Sequence, residues 1–141
     1  IATGAVRFDG ASDNWAPIEW PATADWRLVA ALAQAAARTG KPHHVGVGVT
    51  TSCFREGQAR PADDGWLPAR IRDRHEDLVR RGALYYSMED ASIFVWCATH
   101  GGYPAACVNA VYANRVTGAF AAVGDEDASL VALMALALFP R

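Results

Sequence analysis

Three small clusters of polar and aromatic side chains fall where predicted strands end: Phe54 with Gln58 and Arg60, Met88 with Glu89, and Asn114 with Arg115. Gln58 offers both a donor and an acceptor, and Arg60 offers a planar fork of donors. Together they suit the edge of a flat heterocycle in which carbonyl and NH groups alternate. Uracil has such an edge. Phe54 can stack on a ring of that kind, and Glu89 can accept hydrogen bonds from a vicinal diol such as ribose 2′-OH and 3′-OH. Met88 presents a soft apolar surface to the face of a sugar. The same residue types also occur as plain solvated side chains in loops, so the reading depends on the elements that position them.

Those elements alternate. Apolar runs at residues 1–8, 43–51, 83–88 and 105–113 read as strands. Between and after them, helical spacing appears at 24–39, 70–81, 90–100 and 128–139. That order predicts an α/β fold with a mostly parallel sheet covered by helices, in which ligands bind beyond the carboxyl ends of the strands. Thr23 stands where an N-cap of the first helix is expected and Gly40 closes it. Residues 70–81 are strongly charged, with Ile71, Leu78 and Val79 as their few apolar contacts, and read as an outer, solvated helix ended by Gly82. Asp90 is placed to cap the next helix. Asp125, Glu126 and Asp127 precede a final helix that is apolar on nearly all sides and is expected to be buried. The loop at 55–69, with two prolines and two glycines, has a length usually associated with function.

Composition narrows the function classes. The chain has 141 residues, 52% hydrophobic and 20% charged, which suffices for one folded core. A formal charge of −2 and a pI near 6.1 give no electrostatic reason to expect nucleic acid or an anionic membrane surface. The longest apolar run, 130–139, is about half the length a bilayer requires. Cys53, Cys97 and Cys107 are odd in number, widely spaced and set among apolar neighbours, which predicts small core residues in a reduced, cytoplasmic setting. His43 and His44 are adjacent in a predicted strand, and His75 and His100 lack ligand-spaced partners, so no metal is expected. Neither a glycine-rich phosphate loop nor a nucleophile elbow is present.

The segments Ala5-Val6-Arg7-Phe8-Asp9-Gly10-Ala11-Ser12, Gly57-Gln58-Ala59-Arg60, Met88-Glu89-Asp90-Ala91-Ser92 and Ala113-Asn114-Arg115 resemble, in order and spacing, those of uridine phosphorylases. The resemblance covers almost the whole chain. It implies the C-terminal half of a single three-layer α/β/α nucleoside phosphorylase domain, residues 1–141, without the N-terminal part that carries the phosphate-binding arginines. The start of the strand at Ile1, with no cap, turn or initiator methionine before it, agrees with that expectation. By the same resemblance Gln58 and Arg60 hold the uracil edge, Phe54 stacks on the base, Met88 and Glu89 bind the ribose hydroxyls, Arg115 lies near the base O4, and Tyr112 lines the base pocket. No cofactor is implied, only phosphate as co-substrate. Hexamers built from dimers are the family's assembly.

The implied reaction converts uridine and phosphate to uracil and ribose 1-phosphate. Arg60 and Gln58 steady the negative charge on the departing base, and Glu89 fixes the ribose. Two departures stand out. Ser87 replaces an acidic residue before the methionine, and the helix start reads Asp90-Ala91-Ser92. Arg7 is the one arginine in the first strand that is a candidate for phosphate. The expectation is therefore a pyrimidine phosphorylase half-site, nearly inactive alone and completed by a missing N-terminal segment or chain. The competing readings are a noncatalytic nucleoside-binding relative and a nucleosidase acting on another nucleoside.

Overall fold

A computed structural model describes residues 1–139. Four strands form one sheet in the order β2-β1-β3-β4, where β1 is Ala2–Phe8, β2 Ala22–Thr23, β3 Gly46–Thr51 and β4 Tyr85–Ser87. β1, β3 and β4 run parallel, and the short β2 pairs antiparallel at Gly4 and Ala5. The carboxyl ends of the three parallel strands, Phe8, Thr51 and Ser87, therefore share one edge.

Neighbouring residues of β1 and just before it face opposite ways, as the pleat requires. Ile1 joins a cluster with Ala31, Leu32, Ala35 and Ala36 of helix α1, Trp26–Thr39, and with Val131 and Ala135 of helix α4, Asp125–Leu138. Ala2 joins Ala91, Phe94 and Val95 of helix α3, Asp90–His100. Helices thus cover both faces, and the three-layer α/β expectation holds. The buried residues of α1 recur at positions 31, 32, 35 and 36, one stripe of a 3.6-residue period. Truncating Leu32, 5% exposed, is expected to cost about 2–5 kcal/mol. Among the described residues no helix is long and apolar enough to cross a membrane.

Several local expectations need correction. Thr23 lies in β2; the cap of α1 is Asp25, whose carboxylate accepts from the backbone N–H groups of Arg27 and Leu28. Asp25 N–H also donates to Ala105 O, which ties the start of α1 to the 105–113 segment. Gly40 does end it, in the left-handed conformation. His43 and His44 precede β3 instead of lying in it. α4 is not buried all round: Val131 and Ala135 are covered, but Leu130, Leu133 and Leu136 are 48%, 67% and 66% exposed because the layer it packs on reaches only one side. Cys53 is exposed and Cys97 and Cys107 half-buried, so none is a fully buried core residue.

The expected strand at 105–113 is not formed. Ala105 and Cys107 carbonyls accept from Asp25 and Ala2, and side chains alternate between the two faces, Ala106 and Val108 toward α1 and α4, Ala105 and Cys107 toward α3. Among the described residues, however, no N–H from 105 to 111 donates a backbone hydrogen bond, so the segment is extended but has no ladder. Only Ala113 makes an isolated bridge, to Phe120.

Candidate functional site

The carboxyl edge of the sheet is held by the first turn of α3, which is tied to three strands in three successive residues. Asp90, 2% exposed, accepts from the Tyr85 hydroxyl at 2.6 Å and from Asn109 Nδ2 at 3.1 Å. Ala91 N–H donates to Thr50 Oγ1 at 2.9 Å, and Ser92 Oγ donates to Asp9 Oδ2 at 2.5 Å. The Tyr85 ring can lie flat on the sheet only because residue 48 is glycine: a Cβ there would stand 2.5 Å from the ring. Burial pushes the Tyr85 hydroxyl well above its usual range, and the neighbouring Asp90 carboxylate pushes it the same way. Asp90 is thus an internal anchor and not the expected cap; the capping position is Glu89.

Glu89 is consequently fixed in place between β4 and α3, with its side chain exposed and its Oε2 accepting from Met88 N–H at 3.1 Å. Met88 is 38% exposed beside it. Ser87, the residue before this pair, points inward and pairs its Oγ with Thr50 Oγ1 at 3.1 Å, so the position that departs from the family pattern is spent on packing the strand end.

Beyond β3 the chain makes a 3-10 turn, Glu56–Gln58, followed by Ala59 at φ 60°. Ala59 is the one non-glycine residue with positive φ among the described residues, and it separates the two side chains read as base-binding. The kink sends Gln58 inward, to 4% exposure, and leaves Arg60 half-buried. Arg115 donates to Gln58 Oε1 at 2.8 Å, and its guanidinium lies 5.9 Å from the centre of the Phe54 ring. Burial lowers the pKa of Arg115, and the positive charge of Arg60 lowers it further. Arg60, Pro61, Asn114, Arg115 and Phe120 line a cleft of about 140 Å³, room for one six-membered ring.

Phe54, Gln58, Arg60 and Arg115 are therefore brought together, although 57 residues separate Gln58 from Arg115. Met88 and Glu89 share the same edge of the sheet without bonding to that group. Tyr112 gives its hydroxyl to Asp125 and sets its ring edge-on to Phe120, so it meets the cleft through Phe120. A larger groove, about 620 Å³, lies between α1, α4 and the start of the sheet, lined by Ile1, Leu84, Tyr85, Val108 and Val131. Phe54, Gln58, Arg60, Met88, Glu89 and Arg115 do not line it; Arg60 and Arg115 line the smaller cleft.

Three residues at this site escaped sequence reasoning. Tyr86 of β4 bonds His75 Nδ1 at 2.9 Å and stacks on its ring at 5.9 Å. Burial raises the pKa of Tyr86, against the opposing charges of Arg74 and Arg115. Arg74 donates to Gly57 O at 3.2 Å, and its guanidinium sits 4.3 Å from the centre of the Phe8 ring. Both Arg74 and His75 belong to helix α2, Ala69–Arg80, read from sequence as solvated. The signal was available: Ile71, Arg74, His75 and buried Leu78 fall on one helical face.

Arg7 goes the other way. All five of its N–H groups are used internally: Nε to Ser12 Oγ, one terminal nitrogen to Pro17 O and Trp20 O, the other to Asp13 Oδ1 and Ala16 O. Ser12 in turn donates to Asp9, whose carboxyl burial tends to raise but whose hydrogen bonds from Ser92 and Ser12 lower on balance. No donor of Arg7 is left for phosphate, and it is not the phosphate arginine.

The family model described as the phosphorylase superfamily matches residues 1–139. Relatives named uridine phosphorylase include that of Thermococcus kodakarensis, 38% identical over 94% of this chain and 47% of the relative. Those of Klebsiella aerogenes and Escherichia coli are 37% and 36% identical, each over 82% of this chain and 46% of the relative. The chain thus spans about half the length of the curated relatives it matches.

Proposed function

We propose, from the premise that this chain belongs to the phosphorylase superfamily, that it supplies the base- and ribose-binding half of a site that splits pyrimidine nucleosides with phosphate. The observation that carries the reading is the Gln58–Arg115 hydrogen bond, with the Arg115 guanidinium near the Phe54 ring and a small cleft lined by Arg60 and Arg115 next to it.

At this cluster a uracil ring stacks on Phe54. Gln58, its Oε1 already partly used by Arg115, turns its amide donors toward one ring carbonyl, and Arg60 meets the other. As the glycosidic bond breaks, electrons flow onto the pyrimidine. Arg60 and Arg115 then hold a base that is becoming anionic, an interaction stronger in the transition state than in the ground state. Glu89 accepts from the ribose hydroxyls and Met88 packs on the sugar face, aiming the anomeric carbon at an incoming phosphate. Phosphate attacks that carbon and leaves as ribose 1-phosphate; the proton balance closes on uracil.

Arg7, its five donors engaged, is not available to phosphate, and the phosphate-binding groups are assigned to the part of the relatives that this chain does not span. Uracil release from uridine tests this. Alone, the chain is expected to bind uridine and turn it over negligibly. Mixed with a polypeptide matching the remaining half of the Thermococcus relative, it is expected to release uracil only when phosphate is present. Uridine binding that persists with no turnover in the mixture would instead favour a nucleoside-binding relative, and phosphate-independent release would favour a nucleosidase.

A further inference from the structure

Helices cover both faces of the sheet, but one of its edges is open. Residues 105–111 run extended beside β1, with Ala106 and Val108 packed toward α1 and α4 and Ala105 and Cys107 toward α3. In an extended chain the N–H and C=O of one residue point to one side and those of the next to the other. Cys107 O accepts from Ala2 N–H at 3.0 Å, and Ala105 O accepts from Asp25 N–H at 2.7 Å. The odd-numbered residues thus turn their backbone to β1 and the start of α1, and residues 106, 108 and 110 turn theirs away. Among the described residues those three make no backbone hydrogen bond through either N–H or C=O.

This edge differs from a surface loop. Residues 105–110 are half-buried, and peptide groups withdrawn from water are normally paired. The groove of about 620 Å³ runs along the segment, lined by Val108, Ala110 and Val111 together with Ile1 and Val131, so apolar side chains of an added strand have a place to pack. The other free edges of the sheet are shorter, two residues at β2 and three at β4, whereas 105–111 is as long as an ordinary strand.

We propose that residues 105–111 are a docking edge for a β-strand contributed by the polypeptide that makes up the rest of the relatives' length, so that the two pieces join through one continuous sheet. The inference rests on the reading that a second polypeptide completes this chain, which spans 47% and 46% of two of its relatives. An unpaired edge is satisfied by an extended backbone and not by a helix laid on a face. The strand it takes has apolar residues at alternate positions, on the side of the groove. The segment continues through Ala113 to Arg115, so docking also steadies the arm that brings Arg115 to Gln58.

The test is hydrogen exchange, followed residue by residue, on the full chain alone and co-expressed with a polypeptide matching the part of the Thermococcus relative that this chain does not span. The amides of residues 106, 108 and 110 are expected to exchange about a hundredfold more slowly in the complex than in the chain alone. Ala110→Pro, which removes one outward N–H and leaves Gln58 and Arg115 in place, is expected to weaken association about tenfold. A complex that releases uracil with phosphate while these amides exchange as before overturns the inference and leaves the proposed function standing. Protected amides in a complex that releases no uracil support the inference and overturn the proposed function. Protection that appears in the chain alone as its concentration rises assigns the edge to a second copy and overturns the inference, as does failure of the two polypeptides to associate. The wild-type exchange pattern stands as a readout even where Ala110→Pro fails to fold.

Discussion

Two arginine environments lie on one edge of the same sheet and behave as opposites. Around Arg7, at the end of β1, the chain folds back to place five acceptors on five donors, and the side chain is 4% exposed. Around Gln58 the chain collects Arg60, Arg74 and Arg115, none of them in an ion pair among the described residues, and Arg115 gives Gln58 its one side-chain partner. The first is a closed network that holds the 9–20 loop to the strand. The second is an open cluster of cations. Satisfied polar networks stabilise, and unsatisfied ones mark where stability has been given up for binding.

The strongest way to break this contrast is to remove the closed network. Arg7→Met removes the donors to the carbonyls of Ala16, Pro17 and Trp20 and to half-exposed Asp13, and is expected to cost on the order of 2–3 kcal/mol in chemical denaturation. A loss below about 1 kcal/mol would show that the network is not what holds the loop. Arg115→Met is the mirror experiment. It relieves repulsion with Arg60 but takes the donor from the Oε1 of buried Gln58, so it is expected to cost about 1 kcal/mol, less than Arg7→Met. Uracil affinity should nevertheless fall about ten- to a hundredfold, since Gln58 loses the partner that orients its amide.

A smaller effect sharpens the comparison by making the second site resemble the first. Gln58→Glu places a carboxylate against Arg115 and beside Arg60. Its folded pKa would lie below its unfolded value, so the gain, about 1 kcal/mol, should be present above the unfolded carboxylate range and disappear as pH falls below it. Uracil binding should drop, because the amide donors are gone. A variant that is less stable at neutral pH would mean that the cluster's charge is already neutralised.

The contrast also explains what could be read from sequence. Phe54, Gln58 and Arg60 were legible because they follow the end of β3; Arg115 was grouped with them from the apolar run before it, although that run forms no strand. Arg74, His75 and Tyr86 were not: the charge of residues 70–81 masked the single face on which Ile71, Arg74, His75 and Leu78 align. Arg7 was misread for a related reason. Sequence gives the cation but not its acceptors, and three of the five are backbone carbonyls. The 105–113 segment has a strand's composition, yet a strand needs a neighbour's hydrogen bonds, which no local pattern encodes.

The smallest test uses a third arginine environment, the exposed pair at the start of α1. Asp25 accepts from Arg27 Nε at 3.1 Å and from a terminal nitrogen at 2.7 Å, while also capping the backbone N–H groups of Arg27 and Leu28. The Arg27 side chain is first in holding the Asp25 carboxyl down to about 2, from an ordinary 3.8. Because the folded value is the lower one, this contribution is full above pH 4 and is lost as pH falls toward 2. Asp25→Asn keeps a capping oxygen and removes only the charge, so its cost at neutral pH should be about 0.5 kcal/mol and should vanish in acid. Raising salt should shrink it too, since this pair lies in solvent, whereas the Arg7→Met cost should barely respond. Equal salt sensitivity in the two variants would mean that Arg7, like Arg27, is held chiefly by charge, and the distinction between a closed network and an open cluster would have to be redrawn around Asp13 alone.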